Sequence, residues 1–168
     1  MRFIHLTIMF FIILSCKQEK KVILLEKENF SISYPKHLIL DENSEEGIVL
    51  AIKTLKENKD DTFIDNVNLI VNNSNGLSFS EIIQKTIKDI SVITNIQESK
   101  NIKLNGKDCL RIIFELNMQD VNLKVIQHLI LENGKLYLFT VTCEKKNFSK
   151  YFNDFNSILL SFKVGNNG

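Results

Sequence analysis

Few side chains in this sequence could do chemistry. Past the first sixteen residues there are two histidines, His37 and His128, and two cysteines, Cys109 and Cys143. A third cysteine, Cys16, closes an apolar run. A histidine could act as an acid, a base or a metal ligand if carboxylates converged on it. His37 follows Pro35 and precedes the acidic stretch DENSEEG, whereas His128 lies between Ile126 and Ile130, the setting of a packed strand residue. Asp41, Asn43 and Glu45 alternate like the oxygens of a calcium loop. Glu46, however, stands where such a loop needs its turn glycine, and Ile52 where it needs its bidentate acid. Asp60, Asp61 and Asp65 could share a cation weakly but read as loop surface. There is no G-x-S-x-G, no phosphate loop of the Walker type, no H-E-x-x-H and no C-x-x-C. The sequence therefore reads as non-catalytic, with no cofactor and no metal ligand set.

Cys16 has a different chemistry. From Phe3 to Leu14 the chain is apolar except for His5 and Thr7, with Arg2 before it and Lys17 after it. A helix that crosses a bilayer needs roughly 20 apolar residues, and a signal peptide's apolar region has about 7–15. The run has no polar face, so it does not read as an amphipathic helix. Ile13-Leu14-Ser15-Cys16 resembles the bacterial lipobox, in which an aliphatic residue, a tolerated apolar one and a small one precede the cysteine. The small Ser15 suits a peptidase that cuts between Ser15 and Cys16, and a thiol is needed to carry the diacylglyceryl thioether. Several acyl chains, palmitate among them, on one residue would give stable anchoring where a single chain is marginal. The expectation is a signal peptide over 1–15, a lipidated Cys16 and a polar tether over 16–28, with the protein on the membrane of a bacterial cell envelope, on its periplasmic or surface-exposed face.

Lysine and arginine number 21 against 20 aspartates and glutamates, a net charge of +1, so no basic field exists to gather nucleic acid. The 168 residues suit one domain with appendages, and 44% hydrophobic content is enough for a core without staples. The expected domain covers 29–164, with a short tail over 165–168.

Hydrophobic periodicity supplies the elements. FSISYP alternates and ends at Pro35; GIVLAIKTL is a more buried strand; NVNLIVNN alternates with Val67, Leu69 and Val71 on one face. Residues 72–76 break the pattern. Ser78 and Glu81 then form a capping box for a helix over 79–93, in which Phe79, Ile82, Ile83, Ile87 and Ile90 recur at helical spacing. Asn105-Gly106 and Asn133-Gly134 are two-residue hairpin signals, so the next segments form an antiparallel meander of four strands. Phe148, Tyr151, Phe152, Phe155, Ile158, Leu159 and Phe162 make one helical stripe over 148–162, read as the face that packs on the sheet.

These turns fix a register that tests the inner cysteines. With Asn133-Gly134 as a tight turn, Glu132 faces Lys135 and Cys143 faces Lys124. A short turn near Gln119-Asp120 sets Cys109 opposite about Ile130. The two thiols would then stand one strand apart and about six residues out of register, far beyond the 7 Å limit for a disulfide. Both are expected to be free.

The order of elements and several short stretches resemble the PsbP-like family, which includes bacterial lipoproteins and DcrB-like proteins. The matching pieces are FSISYP, then DTFIDNVNLIV with Phe63, Asn66 and Asn68, then the helix 79–93. The closing stretch KLYLFTVTCEKKNFSKYFNDFNSILLSFKV contributes Tyr137, Phe139, Tyr151, Phe155, Ile158, Ser161 and Phe162. The resemblance implies an α+β fold: an antiparallel sheet with helices on both faces, an α/β/α sandwich. It implies no catalytic or ligand residues. The leading expectation is a membrane-anchored envelope lipoprotein whose domain binds or assembles with a protein partner. One alternative is a chaperone-like holder of apolar segments, a role the resemblance suggests. The other is an enzyme or metal-dependent protein with a site assembled around His37 or His128.

Overall fold

The computed structural model describes residues 21–42, 47–56, 63–118 and 120–165. Ser15 and Cys16, the calcium-loop positions Asn43, Glu45 and Glu46, and Asp60 and Asp61 lie outside the described residues.

Twelve elements follow one another: β1 (Val22–Lys27), β2 (Phe30–Pro35), β3 (Ile39–Asp41), β4 (Ile48–Lys53), β5 (Asn66–Asn73), α1 (Phe79–Ile93), β6 (Ile96–Leu104), β7 (Lys107–Met118), β8 (Val121–Glu132), β9 (Lys135–Glu144), α2 (Phe148–Ser161) and β10 (Lys163–Val164). Seven strands form one antiparallel sheet in the order β3-β4-β5-β9-β8-β7-β6, and β1, β2 and β10 form a second, three-stranded sheet. The meander β6 to β9 is the predicted one. Both of its Asn-Gly turns take the left-handed conformation that tight hairpins require, with φ 49° and 82° at Asn105-Gly106 and 51° and 71° at Asn133-Gly134.

The sheet buries apolar side chains on both faces, and a helix lies on each. On one face Ile82 and Ile90 of α1 pack on Leu110, Ile112, Phe114, Val125 and Leu129. On the other, Tyr151, Phe155, Ile158 and Leu159 of α2, followed by Phe162, pack with Leu50, Ile52, Val67, Leu69, Tyr137, Phe139 and Cys143. The small sheet closes this second core with Phe30, Ile32 and Tyr34. Phe162 is its hub, edge-on to Phe139 at 4.5 Å and beside Tyr137 at 5.5 Å. The α/β/α arrangement expected from the sequence is therefore the fold.

Polar ties set the helices' positions. Ser78 and Glu81 form the predicted capping box at the start of α1. At the end of α2, Ser161 Oγ accepts from the Ser33 amide at 2.7 Å, and the Asn105 side-chain amide donates to the Leu160 and Phe162 carbonyls at 3.0 and 2.6 Å. Three expectations need correction. The segment read as tether ends in strand β1, because its run Val22-Ile23-Leu24-Leu25 pairs with β2 throughout. Asp65, read as loop surface, is 2% exposed. Phe152, placed in the packed stripe, is 41% exposed, since α2 turns it past the core.

Candidate functional site

Strand parity decides which residues share the face under α2. Arg111, Ile113 and Glu115 of β7 stand opposite His128, Ile126 and Lys124 of β8. Ile126 and His128 in turn face Val141 and Phe139 of β9. All of these positions point away from α1. Helix α2 lies mainly over β2 and β9, so the outer part of this face, on β7 and β8, is only partly roofed. The gap is a cleft of about 190 Å³. Ile113, Ile126, Val141, Phe148, Phe155 and Leu159 supply its apolar wall, and Arg111, Lys124, His128, Phe152 and Asn156 complete it.

The charged groups of the cleft have different partners. Arg111 donates through Nε and Nη2 to Glu98 Oε1, at 2.9 and 2.5 Å. The Lys124 ammonium sits 4.4 Å from the centre of the Phe148 ring, a cation–π contact. Glu115, across from Lys124, is bonded by Lys145 at 2.9 Å; its carboxyl is held below the usual range by that hydrogen bond first and by nearby charges after it. His128 is 5% exposed, with its Nδ1 buried and unpartnered. Burial first, then the charge of Arg111, lowers its pKa to about 4, so the ring is neutral near pH 7.

His37, the other histidine of the enzyme reading, does meet a carboxylate: its Nε2 lies 2.9 Å from Asp154 Oδ2 on α2. The pair borders a shallow depression with Thr54, Lys150 and Tyr151. Among the described residues no hydroxyl or thiol bonds to His37. The pair joins the turn after β2 to α2. His128 meets no carboxylate. Among the described residues no group of three or more histidine, cysteine or acidic side chains could hold a metal ion.

Asp65 has a structural role. Its carboxylate accepts from the Glu144 amide at 2.7 Å and from the Asn147 side chain at 3.0 Å, where α2 begins. Desolvation raises its pKa despite these bonds. The two described cysteines are free and buried. The register is the predicted one, with Cys143 opposite Lys124 and Cys109 opposite Ile130. Burial pushes the Cys109 thiol up to about 12, and pushes Cys143 up as well, so neither is a nucleophile near pH 7.

The sequence reading named His128 but missed Arg111 and Lys124. The signal was present: both occupy the same inward parity as Ile113 and Ile126, where a face buried throughout would be apolar.

No family model matches the chain, and no curated protein sequence does. Among solved structures, LpqN, described as involved in cell envelope biogenesis of Mycobacterium tuberculosis, superposes with a TM-score of 0.67 at 9% identity, over 87% of this chain and 91% of that one. Cyanobacterial PsbP (CyanoP) from Synechocystis gives 0.61 at 13% identity, over 87% and 94%. PA94, a protein of unknown function from Pseudomonas aeruginosa, gives 0.60 at 9%, over 88% and 99%. The chain has the PsbP-like fold.

Proposed function

We propose that the protein is an envelope lipoprotein, cut before Cys16 and anchored through it, whose PsbP-like domain is a non-catalytic module that binds or assembles with a protein partner. The observation that carries this reading is the lipobox-like Ile13-Leu14-Ser15-Cys16 ahead of a sequence with no G-x-S-x-G, H-E-x-x-H or C-x-x-C motif. The chemistry-bearing groups of that domain are either tied into the fold, as Asp65 and His37 are, or neutral and isolated, as His128 is. The likeness to LpqN, described as acting in envelope biogenesis, supports the compartment. Among the described residues no helix is long and apolar enough to cross a membrane.

The anchor is tested by Cys16→Ala. The variant should lose labelling by a fatty-acid probe and leave the membrane fraction; labelling equal to wild type would refute anchoring at Cys16. Crosslinking of the anchored protein in its native envelope should capture a defined protein partner, and none captured by crosslinkers of several lengths would count against the assembly role.

A further inference from the structure

The partly roofed cleft has the composition of a small-molecule site: an apolar, aromatic wall with a few placed polar groups. A dry cavity of about 150 Å³ lined by aliphatic and aromatic groups can hold a benzene ring. The present cleft, at about 190 Å³, has room for one ring or a short alkyl group. Phe148 and Phe152, with ring centres 5.4 Å apart, offer aromatic surface, and Phe152 is 41% exposed.

Charge selects the occupant. Arg111 is matched by Glu98, and Glu115 by Lys145. Lys124 has no carboxylate within ion-pair distance among the described residues, and its recorded contact is the Phe148 ring. The structure thus combines an apolar hole with an ammonium at its side that makes no ion pair among the described residues and whose charge is felt by Glu115 across the strand pair.

We infer that the cleft between α2 and strands β7–β9 binds a small amphipathic carboxylate, an aryl or short alkyl acid, with its apolar end against Ile126, Val141 and Phe155 and its carboxylate on Lys124. The site does not depend on the anchor at Cys16, so either reading can fail while the other stands.

The test uses three probes of one shape: phenylpropionate, phenylpropanol and phenylpropylamine. Each is titrated into the full chain, with calorimetry for affinity and amide NMR for location. Phenylpropionate should bind about tenfold more tightly than the alcohol, the discrimination expected of one charge-assisted contact, and the amine most weakly. Shifts should cluster at Ile126, His128, Phe152 and Asn156. Lys124→Gln changes a half-buried side chain and should equalise the acid and the alcohol while leaving the melting curve near wild type. Phe152→Ala should weaken both. Equal binding of acid and alcohol by the wild-type protein, shifts away from the cleft, an unchanged preference in Lys124→Gln, or no binding of any probe would overturn the proposal.

Discussion

The two faces of the seven-stranded sheet are each half covered by a helix, and their uncovered halves differ. On the α1 face the open half lies over β5 and β9, where Asn66, Asn68, Thr140 and Thr142 alternate with the buried Val67, Leu69, Phe139 and Val141. Asn66, Thr140 and Thr142 are half-buried side chains that water can still meet, whereas Asn68 Oδ1 is buried and unpartnered. On the α2 face the open half lies over β7 and β8, where Ile113 and Ile126 alternate along their strands with Arg111, His128 and Lys124. The apolar groups gain nothing from water, yet two cations and a histidine with an unpartnered ring nitrogen keep the region from being ordinary core. An uncovered sheet surface is therefore informative only when its chemistry is wrong for solvent.

The largest test of this contrast is Phe155→Ala. Phe155 is 2% exposed and serves both the core under α2 and the wall of the cleft. Its removal should cost about 3–5 kcal/mol, the usual range for a buried phenylalanine, measured by urea unfolding. A loss below about 1 kcal/mol would mean that α2 is loosely seated and that the cleft has no firm wall.

A smaller effect comes from His128. Its pKa is about 4 in the folded chain against 6.5 for an ordinary histidine, so the unfolded chain takes up the proton first on acidification. Stability contributed by the neutral ring is fully present above pH 6.5 and is lost as pH falls from 6.5 to 4, by up to about 3 kcal/mol. The comparison is between wild type and His128→Gln, because carboxylates titrate in both within the acid part of that window. The difference in unfolding free energy between the two should change across pH 6.5 to 4 and flatten below it. A constant difference would place His128 in contact with water and remove the reason to treat the cleft as dry.

Much of the fold was legible because its signals are local. Asn133-Gly134 and the short turn expected near Gln119-Asp120 set the register of three long strands, which was enough to separate Cys109 from Cys143. Ser78 and Glu81 marked the start of α1 to the residue. The pieces that resemble PsbP-like proteins also prove structural: Ser161 ties α2 to β2, and Phe162 fills the space among Phe30, Tyr137 and Phe139. What was not legible depends on partners distant in sequence. Val22–Lys27 is a strand only because β2 offers an edge, and Asp65 is buried only because Glu144 and Asn147 arrive 79 and 82 residues later. The cleft was hidden for a related reason. Parity shows which residues share a face, but the lateral position of α2 decides which of them stay open, and long-range ties such as Asn105 to the end of α2 set that position.

The smallest expected effect is also the most direct check on the other open half. Thr140 is half-buried, opposite Asn68 on β5 and Gln127 on β8. If water is what this half of the α1 face meets, Thr140→Ala removes a solvated hydroxyl and one methyl group, and stability should stay within about 0.5 kcal/mol of wild type in urea unfolding. A loss above about 2 kcal/mol would require that Thr140 lose a contact absent from the isolated domain, as it would if a second molecule lay over β5 and β9. The polar half would then be the covered interface, and the apolar cleft would have to be reread as the face left to solvent.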